Sequence, residues 1–111
     1  MSQNHLYLID GIGQSYIPPS CWPEYIDEVI EVDDKTAYRS VYELARSEGI
    51  FTGSSGGAAA FAAREVARRL PDDAFVVTLF PDSGERYLSK LNEEWLRSKG
   101  LLGDDERFAE G

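Results

Sequence analysis

Apolar residues recur along the chain with two periods, and these periods predict the order of its elements. Short apolar runs at residues 6–9 and 74–80 are typical of strands that a parallel sheet covers on both faces. Residues 28–32 alternate between polar and apolar, which also predicts a strand. A brief apolar piece, Ile50 and Phe51, precedes a glycine-rich turn.

Between these runs, apolar residues recur at three- and four-residue spacings, which predicts amphipathic helices. The first helix begins near Asp33 and is closed by Gly49. A second, rich in alanine, follows the turn at residues 53–57 and is ended by Pro71, and a third covers residues 92–99. The order of the elements predicts an α/β fold of three layers, in which helices flank a mostly parallel sheet.

Length and charge narrow the range of functions. The chain has 111 residues, 42% of them hydrophobic, which suits a single core. We expect residues 1–102 to form the folded segment and residues 103–111 to form a frayed acidic tail. Eleven basic and twenty acidic residues give a formal charge of −9, which opposes binding to nucleic acid or to anionic membranes.

No run approaches the roughly 18 apolar residues of a membrane helix, and the first residues lack the pattern of a signal peptide. We therefore expect a cytoplasmic chain. One cysteine and one histidine supply no ligand set for a structural metal site.

The glycine- and serine-rich turn at residues 53–57 has several interpretations. It satisfies the G-x-S-x-G pattern of a hydrolase with Ser55 as the nucleophile, but no histidine follows to act as its base. Helix capping by Ser54 or Ser55 is the favoured interpretation, and contact with a phosphate is the second.

Residues 10–16 open like a dinucleotide-binding turn, but Tyr16 occupies the place of the third glycine. This segment is either a plain glycine turn or a loop that lines a site.

Residues 81–89 (Pro-Asp-Ser-Gly-Glu-Arg-Tyr-Leu-Ser) directly follow the predicted strand at residues 74–80. Side chains that follow a strand of an open α/β sheet emerge where ligands bind. From spacing alone, a structural turn in which Asp82 or Ser83 caps the next helix is equally compatible with the pattern.

Taken together, these motifs resemble the C-terminal part of the large domain of fold type II pyridoxal-phosphate enzymes, specifically cysteine synthases and cystathionine β-synthases. The resemblance runs from about residue 6 to residue 102. Its matching stretches are residues 10–13 with 16–18, 48–50 with 53–56, and 81–89.

The resemblance implies roles for a few residues. Ser83 is expected to present its hydroxyl to the pyridine nitrogen of pyridoxal phosphate. Asp82 is the rival for this contact, because a carboxylate partners that nitrogen in other cofactor classes. Gly11, Ile12 and Gly13 are expected to line the wall of the substrate pocket. No residue of the chain is expected to be catalytic or to bind a metal.

The reaction implied by the resemblance is β-replacement in sulfur amino-acid metabolism. A small amino-acid substrate of the serine type loses its β-substituent, and a sulfur nucleophile takes its place. Features of both the cysteine synthase type and the cystathionine synthase type are present, so the nucleophile stays open.

The family's Schiff-base lysine and phosphate loop match nothing in this sequence, and Lys35, Lys90 and Lys99 lie in other contexts. We therefore expect a chain that is inactive alone and binds the cofactor poorly. It would need a missing N-terminal portion, or would self-associate, with a homodimer as the expected form. The alternative is a free-standing small α/β domain that binds a partner or itself without catalysis.

Overall fold

The computed structural model describes residues 8–9, 11–14 and 16–107. Within these ranges the chain forms the helices α1 (Asp34–Glu48), α2 (Ser54–Ala67) and α3 (Glu93–Ser98). Two short 3-10 helices lie at Pro23–Tyr25 and Gly84–Tyr87. The three predicted α-helices are confirmed, although α2 ends at Ala67 and not next to Pro71.

Helix α1 begins and ends where its sequence predicts. The Asp33 carboxylate accepts a hydrogen bond from the Thr36 amide at 2.7 Å, which caps the first turn. This bond holds the pKa of Asp33 below its ordinary value. Gly49 closes the helix with a φ of 69°, in the left-handed region that glycine adopts without strain.

Helices α1 and α2 pack closely because small residues face each other. A Cβ atom on Gly57 would collide with the carbonyl oxygen of Ala37. Ala58 and Ala60 of α2 are buried beside this contact. The alanine-rich pattern of α2 therefore serves the close packing that the sequence predicts.

The core joins α1 to the C-terminal part of the chain. Tyr38 of α1 is buried, its ring centroid lies 5.7 Å from that of Trp95 in α3, and its hydroxyl donates to the Leu8 carbonyl at 2.6 Å. The buried cluster consists of Ile9, Ala37, Tyr38, Val41, Ala58, Leu91, Leu96, Leu101 and Leu102.

Residues 103–107 are held against α1 and α3. Lys35 forms an ion pair with Glu106 at 2.9 Å, and Arg97 donates to the Glu106 carbonyl at 2.7 Å. The bond from Lys35 lowers the pKa of Glu106. Residues 103–107 thus contact the folded segment, residues 108–111 lie outside the described ranges, and the fraying of the tail stays a prediction.

The predicted sheet is not confirmed. In the described part of the chain, the β-type pairing consists of one isolated antiparallel bridge between Thr52 and Ser83. The expectation that residues 74–80 are buried on both faces is wrong for this chain, because no neighbouring strand covers them in the described ranges. Phe75, Val77 and Leu79 are 92%, 74% and 76% exposed. Residues 28–32 likewise form no strand pairing with another described residue. Of residues 6–9, only Leu8 and Ile9 are described.

Candidate functional site

The segment that leads into the turn at residues 53–57 meets the motif at residues 81–89 at the bridge between Thr52 and Ser83. The Gly84 amide donates to the Phe51 carbonyl at 3.1 Å. The Thr52 hydroxyl donates to the Asp82 carbonyl at 3.2 Å, and Thr52 is buried. The backbone on both sides of Ser83 is therefore attached to the segment that leads into α2.

The carboxyl group of Asp82 is turned towards the protein. Its Oδ2 accepts a hydrogen bond from the Tyr87 hydroxyl at 2.5 Å. Its Oδ1 is buried and has no hydrogen-bond partner among the described residues. A Cβ atom on Gly53 would collide with this Oδ1 and with the Tyr87 ring, so the position requires glycine.

Ser83 occupies the N-cap position of the 3-10 helix Gly84–Tyr87 without capping it through its side chain. It is partly buried, and its hydroxyl makes no hydrogen bond within the described ranges. The expectation that Asp82 or Ser83 caps this helix through its side chain is therefore wrong. The Ser83 hydroxyl therefore keeps its hydrogen-bonding capacity, whereas the remaining acceptor oxygen of Asp82 is buried.

The turn before α2 packs closely and is not capped by serine. Gly53 is the N-cap residue, no side chain caps this end, and Ser54 is already the first helical residue and is buried. Capping by Ser54 or Ser55 is therefore wrong. Close packing is confirmed, because a Cβ atom on Gly56 would collide with the Thr52 side chain.

The loop of Gly11, Ile12 and Gly13 is exposed. Gly11 and Gly13 have φ values of 86° and 82°, which glycine adopts without strain. Gln14 donates to the Gly11 carbonyl at 3.5 Å, a contact within the loop itself. No hydrogen bond of the described residues joins this loop to Ser83, and its role as a pocket wall stays a prediction.

Other features lie apart from Ser83. A groove of about 690 Å³ between α1 and α2 is lined by residues that include Glu43, Arg64 and Phe80. In the described part of the chain, no group of three or more histidine, cysteine, aspartate or glutamate residues could hold a metal ion. Within the same ranges, none of the helices combines the length and apolar character needed to cross a membrane.

Two residues of this site were missed by sequence reasoning, Thr52 and Tyr87. Thr52 carries no motif, because its role depends on a residue thirty positions away. Tyr87 lies five positions after Asp82 and inside the motif at residues 81–89, and this spacing was its only signal.

The sequence matches a known family over most of its length. The profile described as "Pyridoxal-phosphate dependent enzyme" matches residues 2–82 and so ends one residue before Ser83. An O-acetylserine dependent cystathionine β-synthase of Bacillus subtilis is 43% identical over 86 residues, which are 78% of this chain and 28% of that protein. A cystathionine β-synthase of Apis mellifera is 35% identical over 104 residues, which are 91% of this chain and 21% of that protein.

A solved structure agrees with these matches. The O-acetylserine dependent cystathionine β-synthase of Helicobacter pylori superposes with a TM-score of 0.71 at 41% identity, over 78% of this chain and 28% of that one. The chain thus spans between a fifth and a third of the length of these relatives. From the profile, the relatives and the shared fold, the chain belongs to the pyridoxal-phosphate dependent enzymes, among the cysteine synthases and cystathionine β-synthases.

Proposed function

We propose that this chain is the C-terminal part of a pyridoxal-phosphate-dependent β-replacement enzyme of the cysteine synthase or cystathionine β-synthase type. It is inactive alone and contributes the pyridine-nitrogen contact and part of the pocket wall. Support comes from relatives whose names state these activities and of which the chain matches 28% and 21%. Residues 74–80 become an inner strand of a mostly parallel sheet when the rest of the enzyme is present.

The observation that carries this proposal is the free hydroxyl of Ser83, next to a carboxylate that is already engaged. Asp82 is bonded to Tyr87 and packed against Gly53, so it is poorly placed to reach a cofactor. The Ser83 hydroxyl can bond a ring nitrogen without being an anion. Bound pyridoxal phosphate supplies an electron sink, and a neutral partner keeps this sink mild, which suits replacement at Cβ better than transamination.

Gly11, Ile12 and Gly13 form the pocket wall of the complete enzyme. Two positive φ values in three residues expose backbone without Cβ atoms, which leaves room for a small amino-acid substrate. The wall faces Ser83 only after the remaining portion of the enzyme has ordered this loop.

The missing N-terminal portion covers the exposed apolar residues Phe75, Val77 and Leu79. Three large apolar side chains at alternate positions, each more than 70% exposed, are unusual on a surface that remains open. Without that portion, the chain covers them by association with a second copy.

A mixing experiment tests the proposal. The chain is combined with the part of the Bacillus subtilis relative that precedes its matching region, and pyridoxal phosphate is added. The mixture should retain cofactor absorbance after dialysis, whereas the chain alone should lose it. Retention by the chain alone, or loss from the mixture, would contradict the proposal.

A second candidate is a free-standing domain that binds a partner without catalysis. The same exposed residues, Phe75, Val77 and Leu79, favour it. In the mixing experiment it predicts association of the two pieces without retention of the cofactor.

A further inference from the structure

We propose that residues 22–27 form a docking surface for a basic segment of a separate protein. The rings of Trp22 and Tyr25 provide its apolar contact, and the carboxylates of Glu24 and Asp27 provide its charge. These four residues are called the aromatic surface below. None of them belongs to the candidate site, so the inference goes beyond the proposed function and does not depend on it.

Two large aromatic rings lie exposed beside each other on this surface. Trp22 is 59% exposed and Tyr25 is 75% exposed, and their ring centroids lie 5.9 Å apart. Tryptophan and tyrosine are enriched among the residues that contribute most to binding between proteins. Rings that contact each other and stay open to water offer a platform on which a side chain of a partner can pack.

The backbone under the rings is fixed before any partner binds. The Cys21 amide donates to the Pro18 carbonyl at 2.9 Å, and the Tyr25 amide donates to the Trp22 carbonyl at 3.0 Å. Pro23 is the first residue of the 3-10 helix that begins after Trp22 and ends at Tyr25. An ordered surface loses little conformational entropy on binding, which favours its use as an interface.

The charge around the rings defines the chemistry of the partner. Residues 1–34 contain seven acidic residues and no lysine or arginine, whereas all eleven lysines and arginines of the chain follow. Glu24 lies between the two rings in the sequence, and Asp27 follows Tyr25 at no more than about 7 Å along the backbone. An arginine or lysine side chain can therefore stack on a ring and approach a carboxylate at the same time.

The two carboxylates are available for such a partner. Glu24 and Asp27 are exposed, and neither forms an ion pair with a cation in the described part of the chain. Their neighbour Glu28 is already paired with Arg69 at 3.0 Å and is therefore left out of the surface. A second copy that met this surface face to face would place carboxylates against carboxylates, and nucleic acid or an anionic membrane would also be repelled.

The missing N-terminal portion suits a different part of the chain. It is expected to cover Phe75, Val77 and Leu79, which lie in a segment without charged residues. Residues 18–23 instead contain three prolines, which lack the amide hydrogen that pairing in a sheet requires. We therefore assign the aromatic surface, with its carboxylates, to a separate protein.

A labelled peptide of about twelve residues, with alternating arginine and glycine, tests the proposal. Its binding to the 111-residue chain is followed by fluorescence anisotropy. Trp22→Ala should weaken this binding about three- to tenfold, because a cation–π contact is lost. Phe75→Ala removes a ring that is 92% exposed elsewhere and should leave the binding unchanged.

Charge reversal separates the aromatic surface from the overall charge of the chain. Glu24→Lys should weaken binding of the peptide more strongly than Asp104→Lys, which makes the same change of charge at an exposed residue outside the surface. Equal weakening in these two variants, or unchanged binding in Trp22→Ala, would overturn the proposal. The peptide would then be attracted only by the net charge.

The two-piece mixture distinguishes a separate protein from the missing N-terminal portion. Once the two pieces are associated, the peptide should bind as tightly as it binds the chain alone. Loss of peptide binding on association would show that the N-terminal portion covers the aromatic surface, and it would overturn the proposal. Retention of the cofactor is measured separately, so a failure of the proposed function does not change the result expected here.

Discussion

Gly57 of α2 lies against the carbonyl oxygen of Ala37 in α1 with no space for a Cβ atom between them. The contact joins two backbones, so no side chain can rotate away to relieve a collision. It places the N-terminal turns of α2 directly on the buried face of α1. Residues 52–53, which lead into α2, are the ones that contact Asp82 and Ser83.

Gly57→Ala should therefore lower the free energy of unfolding by about 1–3 kcal/mol, the usual cost of overpacking a closely packed contact. Urea unfolding followed by circular dichroism measures the change. Ala67→Ser adds one atom at an exposed position of the same helix and should stay within about 0.5 kcal/mol of the unsubstituted chain. Equal stability of both variants would show that the two helices can separate without cost.

The cap of α1 should make stability depend on acid pH. The Thr36 amide bonds the charged form of Asp33, so the pKa of this carboxyl is lower in the folded chain than its ordinary value of 3.8. This contribution to the free energy of unfolding is fully present above about pH 4 and is lost as the pH falls through the lowered pKa. Because Asp33 is exposed, the contribution should be about 0.5 kcal/mol or less.

Asp33→Asn isolates this contribution, since asparagine caps a helix equally well but does not titrate. Unfolding by urea at several pH values should show a flatter dependence below about pH 4 for the variant than for the unsubstituted chain. Parallel curves would mean that the cap does not favour the charged carboxyl.

The exposed residues of the segment 74–80 should cause self-association. We expect sedimentation velocity to show a concentration-dependent increase in mass for the isolated chain, and Val77→Lys to reduce it by placing a charge among Phe75 and Leu79. Val29→Lys changes a residue that is 78% exposed elsewhere and should leave the association unchanged. A compact monomer at high concentration would contradict this prediction.

Features set by neighbouring residues could be predicted from the sequence, and contacts between segments far apart in the sequence could not. Asp33 and Gly49 mark the two ends of α1 through interactions within one turn, so their residue types were enough to predict these ends. Burial of residues 74–80 was expected from their apolar character, but burial requires neighbouring strands that this chain does not provide within its described ranges.

The site shows the same division. The role of Ser83 stays a prediction, made from a motif that is continuous in sequence. Its pairing with Thr52 could not be predicted, since nothing in residues 50–53 indicates which segment they contact. The assignment of Ser54 or Ser55 as caps failed because the helix begins one residue earlier than a capping serine requires.

The proposed contact between the Ser83 hydroxyl and the pyridine nitrogen is tested most directly by the affinity of the two-piece mixture for pyridoxal phosphate. Ser83→Ala should weaken this affinity by about three- to tenfold, the range expected for one hydrogen bond. Ser89→Ala is the matched control, because Ser89 is exposed. The hydrogen bond that Ser89 accepts from the Asn92 side chain goes to its backbone carbonyl and not to its hydroxyl. Weaker binding in Ser83→Ala alone agrees with the account, and wild-type affinity in both variants would contradict it.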